Sequence, residues 1–301
     1  MISCKFVIMK NFSRISMVVL MLAVALQAPV AAAAQGVAQG NISQESVQKY
    51  GELSKVLKAN QQKSVPELMI IVAKQMLGTE YVAGTLEKVP EQLVVSLTQT
   101  DCILFVESCL AMALNAKKGI FHPDSLCATI QSLRYRNGKV DGYASRIHYT
   151  SEWIRQGEAR GIFREITDVL SGDNLSGQRF SYMSEHSDAY RQLKGNPAEV
   201  ARIAQMEASL NQHTDYFVIP KEAVSKMEHL LKDGDILGFN STVKGLDIAH
   251  VALVYHKENG QVGFIHASQA DGKVVIDEKS IADYVNSRKS NNGIRIVRVN
   301  R

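Results

Sequence analysis

The hydrophobic period of this chain changes once, at Asp233, and that change limits the folds open to it. Upstream, apolar residues recur at helical spacing in "VPELMIIVAKQML" (65–77), "NPAEVARIAQMEASLNQ" (196–212) and "KEAVSKMEHLLK" (221–232). Pro66 sits near the first turn of the first of these, where its missing N–H costs nothing. Downstream come short strand-like runs, "GDILGF", "HVALVYH", "VGFIHAS", "KVVID" and "IRIVRV", separated by Gly, Asn and Lys turns. One helix, "SIADYVN", interrupts them. Helices followed by an antiparallel meander predict an α+β fold. Residues 115–230 read as helical pieces and loops, 78–87 as a turn-rich loop, and "QLVVSL" (92–97) as a short strand. The polar stretch 35–63 reads as a loose N-terminal lead with some helix.

The chain has 301 residues, enough to bury a substantial core, and is 46% apolar and 21% charged, an ordinary globular balance. Its formal charge of +4 is unevenly placed. Lys5, Lys10 and Arg14 lie in the first 34 residues, which contain no acid. The remainder is near neutral, so no nucleic-acid partner is expected. A basic lead, the apolar run "ISMVVLMLAVALQAPVAAAA" and an Ala-x-Ala ending form the pattern of a secretory signal peptide over residues 1–34. No cysteine follows for a lipid anchor, and no other run reaches the 18 apolar residues of a spanning helix. The expected product is exported, periplasmic or secreted, without a stable membrane anchor.

Export makes the cysteine count informative. Cys4 leaves with the signal, and Cys102, Cys109 and Cys127 remain, an odd number, so at least one thiol is free or pairs with another molecule. Cys102 and Cys109 stand two helical turns apart, about 10 Å, too far for a disulfide. No pair has zinc-ligand spacing. Cys102 opens the run "DCILFVESCLAMAL", in which apolar residues at 102, 105, 106, 109, 110 and 113 mark a helix and others fill its remaining faces. Asp101 is placed as its N-cap. A thiol in the first turn feels the positive end of the helix dipole, which predicts a lowered pKa and a nucleophilic thiolate. Cys109, mid-helix, and Cys127 read as core.

A thiol nucleophile needs a base, and the base needs an orienting partner. His250 opens "HVALVYH" and His266 lies in "GFIHAS". If these strands pair through the turn "KENGQ", the two histidines meet near one edge of the sheet, while His256 is left at the far end. The separation of Cys102 and His250 suits a papain-like arrangement.

"DCILFVE", "GDILGF", "HVALVY" and "FIHAS", in that order, resemble the NlpC/p60-type papain-like peptidoglycan hydrolases. "YVAGTLE", "LVVSL", "RYRNG", "SRIHYTSEW" and "GLDIAHVAL" resemble, more narrowly, the N-acetylmuramoyl-L-alanine amidase-like branch, from about residue 66 to the C-terminus. The resemblance implies a papain-like cysteine hydrolase domain over 64–301, its nucleophile helix buried against an antiparallel sheet and a large helical insertion at about 115–230. It implies Cys102 as nucleophile, His250 as general base and later acid, His266 as the group orienting His250, and Tyr81 as a hydroxyl at the oxyanion site. Simpler members follow the cysteine with Ser-Gly; this chain has Ile103-Leu104.

The implied substrate is a muropeptide or other peptidoglycan fragment, the bond that between N-acetylmuramic acid and L-alanine, and the route an acyl-enzyme. Neither metal nor organic cofactor is implied. Sugars stack on aromatic faces and carboxylates fit arginine forks. Arg134, Arg136, Arg146, Tyr149 and Trp153 are therefore candidate substrate contacts, with Glu87 and Asp247 as candidates for amine or hydroxyl groups. Three other readings remain open at this level: a stem-peptide endopeptidase cutting between D-glutamate and the diamino acid, a non-catalytic muropeptide-binding protein, and an acyltransferase using the same thiol. The oligomeric state is not legible.

Overall fold

A computed structural model describes residues 42–175 and 177–300. The signal-peptide reading of 1–34, and residues 35–41 of the N-terminal lead, lie outside the described residues. Three helices come first: α1 (Gln44–Ala59), α2 (Val65–Gln75) and α3 (Cys102–Lys117), with the two-residue strands β1 (Glu80–Tyr81) and β2 (Gln99–Thr100) between α2 and α3. The central segment holds α4 (Pro123–Arg134), α5 (Thr150–Ala159), β3 (Phe163–Glu165), β4 (Asp173–Asn174), α6 (Tyr182–Glu185), α7 (Pro197–Leu210), β5 (Phe217–Pro220) and α8 (Lys221–Met227). The meander follows: β6 (Ile236–Ser241), β7 (Ile248–His256), β8 (Val262–Ser268), β9 (Lys273–Ile276), α9 (Ile281–Ser287) and β10 (Asn291–Val299).

The strands form one mixed sheet in the order β2-β1-β9-β8-β7-β6-β10-β5-β4, with β3 also paired to β10. Antiparallel pairing of β7 with β8 sets Leu253 opposite Ile265 and His256 opposite Val262. By the two-residue period of a strand, His250, Ala252 and Val254 then share a face with Phe264 and His266. That face carries an apolar cluster of Leu237, Phe239, Ala252, Val254, Phe264, Ile294 and Ile296, closed over by Val224 and Met227 of α8 and by Ile281, Tyr284 and Val285 of α9. Val251, Leu253 and Ile265 on the alternate positions are buried too, because α2 and α3 cover β7 and α3 also covers β8. A sheet covered on both faces reads as nearly continuous apolar strands, as β7 and β8 do.

α3 begins as the sequence predicts. Asp101 is extended, and its Oδ1 accepts the Leu104 N–H at 2.9 Å. Buried residues occur at almost every position from Leu104 to Ala116, including Glu107, Ser108, Cys109 and Asn115. Each fully buried Leu or Phe side chain is worth roughly 1.5–3 kcal/mol, so this helix anchors the core.

Three sequence expectations are corrected. The lead, read as loose with some helix, holds the well-packed α1, capped by Ser43 and burying Tyr50, Leu53 and Leu57 at helical spacing. It packs on α2 and α3, so the folded body includes 44–59 rather than starting at 64. "QLVVSL" alternates as a strand should, with Leu93, Val95 and Leu97 buried, but has no strand neighbour beyond a single bridge from Val95 to Ile42. Its Leu97 N–H is satisfied by Ser46 Oγ of α1 instead. The central segment contributes strands as well as helices. β5 lies against β10 at Gly293, where a Cβ would stand 2.2 Å from the Ile219 carbonyl oxygen; only glycine permits that approach. The segment also has its own core, built on Tyr143, Tyr149, Phe180, Ile203, Met206 and Tyr216.

Candidate active site

Cys102 and His250 line one cavity of about 200 Å³, with Ile103, Glu107, His148, Tyr149, Trp153 and Val251. The first turn of α3 supplies the thiol and the start of β7 supplies the imidazole. β1 and β2 pair in parallel, Tyr81 opposite Thr100, which brings the tyrosine beside the residue that leads into Asp101 and Cys102. Burial raises the Tyr81 phenol above its ordinary value, and the neighbouring Cys102 and Asp101 add to the effect.

His250 Nε2 and His266 Nδ1 are 2.7 Å apart. His266 is 2% exposed, and its Nε2 lies 3.4 Å from Asp277 Oδ2, off the line of a good hydrogen bond. Phe239 stacks on His250, while Tyr284 stands edge-on to His266. His256 is elsewhere, paired with Asp233 at 2.6 Å.

The electrostatics correct the thiolate expectation. Burial pushes the Cys102 thiol up to about 12; the Asp101 carboxylate adds to this, and the N–H groups of Val251, Ile103 and Cys102 oppose it. The capping carboxylate sits where the helix dipole would otherwise favour an anion, and desolvation dominates both. Burial likewise holds His250 neutral, down to about 3, with His266 and Arg288 nearby acting the same way. The resting pair is therefore thiol and imidazole, not thiolate and imidazolium.

A second cavity of about 260 Å³ shares Ile103, Glu107, His148 and Tyr149 with the first and runs on to Arg146, Glu87 and Tyr190. Arg146 donates to Glu87 Oε1 at 2.6 Å and to the Leu86 carbonyl at 3.1 Å, and lies over the Tyr143 ring. Cys102, His250, Tyr149 and Trp153 thus line one cavity, and Arg146 and Glu87 line its neighbour, with Ile103, Glu107, His148 and Tyr149 common to both. Tyr149 and Trp153 are wall residues: Tyr149 donates its hydroxyl to Glu207 at 2.7 Å, and Trp153 stacks on Phe163.

Three candidate contacts are engaged by the protein's own groups, although Arg134 also lines the second cavity. Arg134 is 3% exposed and spends its donors on Glu107, at 2.8 Å, and on the Val94 carbonyl, leaving no fork for a ligand. Arg136 is held by Glu152 and the Ala144 carbonyl and lines a separate, larger cavity of about 560 Å³ that contains neither Cys102 nor His250. Asp247 is 3% exposed and accepts the Ser151 N–H at 2.6 Å at the start of α5, a capping task. In each case a neighbour with the complementary charge or an orphan N–H captures the group first.

His148 is a cleft residue that sequence reasoning missed. It lines both cavities, and its Nε2 contacts the Tyr143 carbonyl at 2.9 Å, so that nitrogen carries the proton and Nδ1 is an acceptor. Burial, with Arg146 beside it, lowers its pKa to about 3. Its only signal was its place inside "SRIHYTSEW".

His148 and His250 predict a pH-dependent stability. The unfolded chain protonates both near 6.5, the folded chain only near 3. Unfolding therefore takes up protons between those values, and stability falls as pH drops from about 6.5 toward 3. Calorimetric Tm measured across that range is expected to decline, and more shallowly in His148→Gln. Equal slopes would remove His148 from the account.

The fold is α+β, and a thiol, two hydrogen-bonded imidazoles and a buried arginine lie around two neighbouring cavities. The chain belongs to the AmiA-like, N-acetylmuramoyl-L-alanine amidase-like family, which residues 71–294 match. Membership makes it amidase-like and ties it to a peptidoglycan-type substrate. It is similar to an N-acetylmuramoyl-L-alanine amidase from Bacteroides uniformis, at 32% identity and TM-score 0.73, over 79% of this chain and 99% of that one. It is also similar to a Bacteroides fragilis protein described as a putative xylanase, at 34% identity and TM-score 0.69, over 75% and 98%. A Legionella pneumophila protein at 22% identity shares the fold, with TM-score 0.62 over 84% and 95%. No curated protein sequence is detectably similar. Among the described residues no helix is long and apolar enough to cross a membrane, and no three His, Cys, Asp or Glu side chains are grouped to hold a metal ion.

Proposed function

We propose that the protein is an exported cysteine amidase of papain-like, NlpC/p60 type that hydrolyses the amide between N-acetylmuramic acid and L-alanine in soluble peptidoglycan fragments. The observation that carries this reading is Cys102 and His250 facing one cavity while His250 Nε2 is engaged by His266. With Nε2 donating to His266, the Nδ1 of His250 is the basic nitrogen available to the thiol. As the Cys102 sulfur attacks the lactyl carbonyl, its proton passes to that nitrogen, so no free thiolate is required beforehand. The oxyanion meets the Tyr81 hydroxyl and the Cys102 N–H at the positive end of α3. Imidazolium His250 then returns the proton to the L-alanine nitrogen, the C–N bond breaks, and a thioester remains. Water, deprotonated by His250, releases the lactyl carboxylate and restores the thiol. Arg146 with Glu87, Tyr149 and Trp153 border the groove in which sugar and stem would lie.

A glycan-cleaving role is disfavoured by the site itself. Glycosidases need two available carboxylates flanking the bond. Here Asp101 is committed to the α3 cap and Glu107 to Arg134.

Incubation with a disaccharide-tetrapeptide and mass spectrometry of the products tests the proposal. Free disaccharide and intact tetrapeptide are the expected pair. A disaccharide-dipeptide would mean cleavage within the stem, and an unchanged substrate would mean binding without hydrolysis.

A further inference from the structure

We propose that Asp277 is a positioning residue that fixes the tautomers of His266 and, through it, His250. This role follows from where one proton lies, and it rests on His250 acting as the base. One proton lies between His250 Nε2 and His266 Nδ1 at 2.7 Å, and it belongs to one nitrogen or the other. If it is on His266, neutral His250 carries its own proton on Nδ1 and cannot take one from Cys102. If it is on His250, neutral His266 carries its proton on Nε2. Nε2 of His266 is buried, lacks a good hydrogen bond, and looks at Asp277 Oδ2 across 3.4 Å. A lone pair there would oppose a carboxylate; an N–H there is attracted to it. Asp277 thus selects the second arrangement, the one in which His250 is a base.

The local geometry holds Asp277 ready for this. Its Oδ1 accepts the Lys279 N–H at 2.8 Å, and its own N–H donates to the Phe264 carbonyl at 3.1 Å, pinning it beside β8. Burial works against its ionised form, yet the facing His266 outweighs this and keeps its pKa below the ordinary carboxylate value. The other charged or titratable groups around the relay are Cys102, Tyr284 and Arg288 near His250, and Lys257 and Lys279 near Asp277. None of these cations stands between Asp277 and His266 as an alternative partner for Oδ2 in the hydrogen bonds formed.

Two-bond ¹H–¹⁵N spectra of histidine-labelled protein read the tautomers without substrate, with His250→Gln and His266→Gln for assignment. The wild type is expected to show both rings as Nε2–H. Asp277→Ala is expected to shift both toward Nδ1–H, and kcat on the muropeptide to drop roughly 10- to 100-fold with KM within about threefold. Asp277→Asn, which keeps shape and loses charge, is expected to fall between, and decides the matter alone if the alanine variant does not fold. Unchanged tautomers in the folded variants, or a wild type already in the Nδ1–H form, would overturn the assignment, because a carboxylate serving only its turn leaves the rings alone. A wild type with the expected tautomers but no turnover would instead count against the amidase reading and leave Asp277 in place.

Discussion

Cys102→Ala is expected to fold and to lose turnover on the muropeptide by roughly 10⁴-fold or more, the scale on which removal of a covalent nucleophile acts. The residue is in the first turn of α3, and its side chain is small, so helix and cap survive the change. Thermal unfolding should stay within a few degrees of wild type, which separates lost chemistry from lost structure. A variant that still turns over would end the covalent mechanism. The raised thiol adds a second expectation: free Cys102 should alkylate slowly with iodoacetamide near neutral pH and faster as pH approaches 12. Rapid neutral labelling would mean that the His250 pair is already ionised.

The largest expected loss of stability comes from Arg134→Ala, about 3–5 kcal/mol, measured as a shift in urea midpoint. Arg134 and Glu107 are almost without solvent, and removing the cation leaves a carboxylate buried against α4 with no counter-charge. Glu107 is already raised by burial, with Arg134 pulling the other way, so it would take up a proton in the variant. Replacing both partners, Arg134→Met with Glu107→Leu, is expected to recover most of the loss, since two apolar groups leave no buried charge and only the Val94 carbonyl loses a donor. If Arg134→Ala instead unfolds like wild type and only raises KM, then Arg134 is a substrate contact and its placement as a pillar fails.

What the sequence disclosed follows the strength of its signals. The meander was legible because its five strands, four to nine residues long, are apolar runs separated by Gly, Asn and Lys turns, and α3 because a cap residue precedes an apolar run. β3 and β4 were not, since two or three residues cannot display a period, and β5 ends at Pro220, where α8 begins at once. In α1 some helix was legible, but its packing was masked by Gln, Ser and Lys, although Tyr50, Leu53 and Leu57 form a buried stripe. Cys102 and His250 drew notice in the sequence by residue type and position at element starts, and His266 by the strand pairing that sets it beside His250. The partner of an arginine was not legible, because Glu107, Glu152 and Glu87 reach their arginines across 27, 16 and 59 residues of chain. Asp277 escaped for the same reason: in sequence it looks like any aspartate that ends a strand.

α3 offers water almost no surface past its first turn. The sulfur is therefore aimed by the same side chains that hold the molecule together, and neither aim nor cohesion can drift alone. The outer wall of the groove is made differently, from a segment with its own separate packing. Novelty in which fragment is accepted can accumulate there while the cutting edge stays fixed, as a handle can be reshaped without touching the blade.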